Sequence, residues 1–158
     1  MFSKGVMEWD LSEISRSLKL SEDDVRSYFT DGRRVSFLLE RRLAYEVVKG
    51  RLAASEGAGY DLIDPNGDKW EVRSITRGGI YFCPSYMVGS GREFNEPGFI
   101  AKLKEIKGYL VSDVERFPKI PYWCIPQEAV RDWYEGGLLG AGTKISRDKA
   151  LRLLGREI

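Results

Sequence analysis

Asp61, Glu71 and Arg73 are the residues of this sequence whose types and spacing suit joint chemistry, with Lys69 as a fourth member. Between the two acids lies Asp64-Pro65-Asn66-Gly67, with Pro where a type I turn accepts it and Gly where positive φ is needed. The segment from Tyr60 to Ile75 therefore reads as a hairpin that sets Asp61 and Glu71 on neighbouring strands. Side chains alternate faces along a strand, so Lys69, Glu71, Arg73 and Ile75 share one face and Trp70, Val72 and Ser74 the other. Two carboxylates brought close both stay ionised only with positive charge between them. A divalent cation meets that need; it can also orient a phosphate, acidify a bound water and stabilise a leaving oxygen. A side-chain cation beside the pair would offset charge developing on the phosphate.

Composition narrows the choice of metal and mechanism. The chain has 158 residues, 25 Lys and Arg against 24 Asp and Glu, a net charge of +1, and no histidine. Ser-His-Asp and Cys-His catalysis and His-bearing zinc sites are thereby excluded. A carboxylate site favours a hard cation, Mg²⁺ or Mn²⁺. The near-neutral balance gives no global signal for nucleic acid, so any DNA surface must come from local clustering of cations. No apolar run approaches the ~20 residues of a membrane span and no signal peptide is visible, so a cytoplasmic protein without membrane contact is expected. Cys83 and Cys124 lie in apolar, strand-like runs and read as free thiols.

The elements that must position the hairpin follow from periodicity and caps. Asp10 with Glu13 and Ser21 with Asp24 open two short helices, and this pair has the look of a helix-turn-helix. A longer helix is predicted from Val35 to Leu52, with Val35, Leu39, Leu43 and Val47 as its buried stripe. Glu46 falls within that stripe and needs a partner, either Arg42 one turn earlier or a metal. A third strand is predicted from Gly79 to Cys83, a polar loop from Pro84 to Glu96, and a helix from Phe99 to Ile106. A buried strand, an edge strand over Ile120–Ile125 marked by its prolines, and closing helices complete the order. The result is an α/β (α+β) fold in a single domain. Residues 1–33 form an N-terminal helical segment suited to dimerisation or DNA reading, and 34–158 one continuous core.

Asp61, nine intervening residues, then Glu71-Val72-Arg73 resembles the PD-(D/E)xK nuclease superfamily over about residues 59–76. The local likeness is to PvuII-type type II restriction endonucleases, including the Ser74-Ile75 continuation. The resemblance implies a restriction-endonuclease-like core, with a central mixed sheet flanked by helices. It also implies a Mg²⁺-dependent endonuclease cutting double-stranded DNA at a short palindrome as a homodimer. It makes Asp61 and Glu71 the metal-binding carboxylates and Glu46 an additional one from the preceding helix. Arg73 stands where the family has lysine, and Arg does not serve as a base; Lys69 is the candidate substitute. Tyr60 stands at the family's variable proline. Two other readings stay open: a non-catalytic DNA-binding module using the N-terminal helix-turn-helix, and a homing or repair nuclease.

Candidate DNA contacts come from two loops. Ser85, Tyr86, Ser90, Arg92 and Asn95 belong to the first; Lys144, Arg147 and Lys149 belong to the second. Arg73, Arg77, Lys102 and Lys104 would extend a basic surface. Arg92 or Asn95 would read bases, since Arg suits guanine and Asn suits adenine.

Overall fold

The Asp64 turn anchors the architecture. In the computed structural model, which describes residues 2–55 and 58–156, Asp64 Oδ1 accepts from the Asn66 and Asp68 N–H groups, and Oδ2 from the Trp70 indole at 3.0 Å. Gly67 takes φ +85°, the left-handed value the turn requires. The turn joins β3 (Leu62–Ile63) to β4 (Lys69–Ile75) in antiparallel register, with Leu62 opposite Trp70.

From β4 the chain passes through a short strand, β5 (Ile80–Tyr81), to helix α4 (Glu96–Glu105). It returns as β6 (Gly108–Asp113), parallel to β4, with Glu71 opposite Tyr109. β7 (Lys119–Pro126) then runs antiparallel to β6. With β1 (Ser3–Glu8) and β2 (Arg51–Leu52), these strands make a six-stranded mixed sheet in the order β1-β7-β6-β4-β3-β2.

The alternation expected on β4 is what builds the two halves of the core. Val72 and Trp70 pack with Val35, Leu39 and Leu43 of helix α3 (Gly32–Arg42), and with Val25 and Phe29 of α2 (Glu22–Phe29). Ile75 faces the other way, toward Phe99 and Leu103 of α4, Val130 and Trp133 of α5 (Gln127–Glu135), and Leu153 of α6 (Arg147–Arg156). Helix α1 (Leu11–Leu18) joins the α3 side through Leu11. The fold is thus mixed α/β, with one sheet between two helical layers, and the N-terminal helices share its core.

Three expectations change. β1 was not foreseen, and because it pairs along β7, the proline-bearing strand is not an edge. Pro121 is tolerated there because the β6–β7 ladder ends at Tyr122, so its missing N–H breaks no bond on that side. The predicted third strand shrinks to β5, which leaves the main sheet and pairs with β8 (Lys144–Ile145). The long helix widens into a π-helical turn over Leu43–Val48 and stops at Lys49 in the left-handed conformation, so Arg51 and Leu52 are strand rather than helix.

Candidate active site

Asp61 lies just before β3 and is held by backbone. Its N–H donates to the Trp70 carbonyl at 3.0 Å, its carbonyl accepts from Ala53 N–H, and its side-chain Oδ2 accepts from Val72 N–H at 2.7 Å. Strand alternation turns Glu71 away from the α3 layer and toward α4. There Lys102 Nζ donates to Oε1 at 2.7 Å and Arg73 Nη1 to Oε2 at 2.8 Å. Glu71 is 6 % exposed. Lys102 also donates to the Gly59 carbonyl, which ties α4 to the segment carrying Asp61.

Arg73 is the central connector. Nη1 also donates to the Val72 carbonyl and Nη2 to the Cys83 carbonyl at 3.1 Å, while the guanidinium lies over the Tyr81 ring. Its Nε is buried without a hydrogen-bond partner among the described residues. Burial, the largest single influence, disfavours the Arg73 charge, but Glu71, Tyr109, Asp61 and Tyr81 together outweigh it and hold its pKa above the ordinary guanidinium value. Asp61 moves the other way for an acid. Burial first, and then the Glu71 charge, push it up to about 6, against the Val72 N–H, Arg73 and Lys102.

Asp61 and Arg73 open onto a groove of about 1030 Å³ between β4, the start of α3 and the β5–β8 ribbon. Arg33, Arg73, Arg77 and Lys144 line it together with Asp31, Glu40, Asp61 and Glu115. Asp31 caps α3 and Glu115 accepts from Arg77 N–H, as Asp61 does from Val72 N–H.

The Cys83 carbonyl that holds Arg73 is itself fixed by Thr143, a buried residue at φ +62°. Its hydroxyl accepts from Phe82 N–H at 3.0 Å and Cys83 N–H at 2.7 Å, and donates to the Gly142 carbonyl. A β-branched residue at positive φ is strained, and these bonds hold it there. Thr143→Ala is expected to leave two buried donors unpaired and cost about 2–4 kcal/mol in urea unfolding, with Thr143→Ser retaining most of it.

Several sequence expectations are redirected by this geometry. Glu46 does not face the site: it is exposed and pairs with Arg42 Nε at 2.8 Å, because the π-helical turn alters the angular spacing on which its placement in the buried stripe rested. The carboxylate that α3 does present to the groove is Glu40. Lys69 sits with Glu105 at 3.7 Å and over the Tyr60 ring, half exposed, rather than beside Glu71. Lys102, expected on a basic surface, fills that place instead.

Among the proposed DNA contacts, Arg77, Ser85 and Lys144 line the groove. Tyr86 and Ser90 are exposed on the adjoining loop. The two candidate base readers are spoken for: Arg92 donates to the Ser85 and Val88 carbonyls, and Asn95 caps α4 through Gly98 N–H. Arg147 makes a two-pronged pair with the fully buried Asp113, and its Nη2 lies 2.8 Å from Oδ2. Lys149 lies in the first turn of α6, where its N–H meets the Ser146 cap. The first turn of α2 carries Glu22, Asp23 and Asp24, a charge that repels phosphate and disfavours DNA reading by this helix.

The chain matches no protein-family model, and no curated protein matches it in sequence.

Proposed function

We propose that this protein is a Mg²⁺-dependent DNA endonuclease, in the manner of a type II restriction enzyme, with Asp61 and Glu71 as its metal-binding carboxylates. The observation that carries the reading is the half-buried Asp61 carboxylate, raised to about 6 by burial and by Glu71, at the wall of a groove of about 1030 Å³ that Arg33, Arg73, Arg77 and Lys144 also line. A carboxylate in that condition, with the Glu71 carboxylate behind it rather than on the groove wall, suits a hard cation. Among the described residues no third acidic or cysteine ligand closes on the pair, and Mg²⁺ commonly uses one or two carboxylates together with waters and a substrate phosphate. Bound there, the metal would polarise the phosphate and lower the pKa of a water.

The chain's own residues have defined parts. Val72 N–H orients Asp61, and Lys102 and Arg73 hold Glu71 from both sides. Arg73 also borders the groove, where its positive charge would offset charge developing on a phosphate. Lys102 takes the lysine position that Arg73 leaves vacant. Lys102→Ala is therefore expected to reduce cleavage at least 100-fold, on the scale of losing an electrostatic stabiliser. Lys69→Ala should change it by no more than about threefold, as for an exposed ion pair. Equal effects of the two substitutions would overturn this assignment. A homodimer would present two such sites to a palindrome. Exposed Leu18 and Leu20 at the α1–α2 turn are available to such an interface.

A second reading has its own support. Both Glu71 oxygens are engaged by cations, as in a structural ion-pair triad, which suits a module that binds DNA without cutting it. Supercoiled plasmid incubated with Mg²⁺ or Mn²⁺ separates the two. Discrete fragments lost in Asp61→Ala support the restriction reading, a smear lost in the same variant supports a repair-type nuclease, and no cutting with either metal rejects the enzyme.

A further inference from the structure

The outer face of α3 carries a second feature that the groove does not use. At ~100° per residue, Arg33, Phe37, Arg41 and Arg34 of α3 fall within an arc of about 100° and Glu40 falls outside it, while Tyr45 follows in the π-helical turn. Phe37 is 57 % exposed and Tyr45 58 %, large aromatic surfaces left in solvent beside arginines. Arg41 Cζ lies over the Phe37 ring, 3.3 Å from its centroid, and Nη1 donates to the Phe37 carbonyl, which holds the guanidinium against the ring. Arg33 lies on the groove wall, which makes the stripe continuous with the candidate active site.

We infer that this stripe is a stacking platform for single-stranded DNA leading into the groove. Duplex DNA hides its base faces, so exposed rings give a duplex nothing to stack on. An unpaired strand offers both bases for Phe37 and Tyr45 and phosphates for Arg33 and Arg34. The inference rests on the nuclease reading of the adjoining groove and favours a repair-type substrate over a duplex palindrome: DNA with an unpaired segment, such as a flap, a branch or a melted end.

The test is fluorescence anisotropy with a labelled oligodeoxythymidine of about 12 nucleotides and a duplex of equal length, in EDTA and at fixed salt. Wild type should bind the single strand more tightly. Phe37→Ala and Tyr45→Ala should each weaken single-strand binding roughly tenfold while changing duplex binding less than about threefold, and Tyr45→Phe should retain binding. Both side chains are exposed, and circular dichroism of each variant checks that it folds. Equal losses on both DNAs, no loss, or no single-strand binding by wild type overturns the platform. So does a wild-type dimer that these substitutions convert to monomer, which would assign the face to self-association. Failure of metal-dependent plasmid cleavage, by contrast, removes the nuclease reading and leaves the binding result standing.

Discussion

Glu71→Ala is expected to abolish cleavage and also to lower stability by about 3–5 kcal/mol, because it strips the shared partner from two buried cations. Arg73 and Lys102 have side chains only 12 % and 10 % exposed, and each meets a separate Glu71 oxygen at 2.8 and 2.7 Å. Without that carboxylate, two positive charges remain close together with only Asp61 nearby, and Arg73 already carries one unpartnered nitrogen. In a chain of this size the loss corresponds to a fall in melting temperature of about 10–15 °C. Combining Glu71→Ala with Arg73→Leu and Lys102→Met removes all three charges. It should recover most of the stability, since replacing a buried ionic triad by apolar groups is often neutral or better, but it should recover no cleavage. A Glu71→Ala protein as stable as wild type would show that the triad is solvated rather than enclosed.

Asp61→Asn has the opposite stability signature. The Asp61 carboxyl titrates near 6 in the fold against 3.8 ordinarily. Between those values the folded protein keeps a proton that the unfolded chain has released. The Asp61 contribution to stability is therefore full below about pH 4, declines as pH rises, and is lost above about pH 6. At pH 8 without divalent metal, the ionised carboxylate costs the fold up to about 3 kcal/mol, which asparagine avoids while still accepting from Val72 N–H. Asp61→Asn should thus be more stable than wild type at pH 8 in EDTA, and the difference should vanish near pH 4. Saturating Mg²⁺ should close most of that difference: a ligand at 100 times its Kd stabilises the native state by about 2.7 kcal/mol, and only wild type has the site to take it. Cleavage should be lost at every pH. Chemical denaturation at the two pH values, with and without Mg²⁺, reads all of this. A variant less stable than wild type at pH 8 in EDTA would contradict it.

The hairpin was legible because everything that makes it is local. The Asp64 turn, the positive φ of Gly67 and the two-residue period of β4 all lie within 16 residues, and they set Glu71 and Arg73 on one face before any tertiary contact forms. Helix starts at Asp10 and Ser21 were equally local, and both cap as expected. Glu46 shows where local pattern stops deciding placement. An α-helical period places it in the buried stripe, but the π-helical turn breaks that phase, and no feature of the segment read from the sequence announced the break. β1 escaped notice because a short, mostly exposed strand carries little hydrophobic pattern and gains its structure from pairing with β7.

The cation beside Glu71 divides what each level decided. By itself the sequence determined that a carboxylate and Arg73 share a face, with Asp61 across a tight turn, because strand alternation and turn chemistry act over a few residues. It also determined that no histidine takes part. Only the tertiary structure decided that Lys102, 31 positions away on α4, and not Lys69, completes the group. That choice depends on how α4 packs as the chain crosses from β4 to the parallel strand β6, and a crossover's placement is set by the burial of Phe99 and Leu103 in the core rather than by any spacing along the chain.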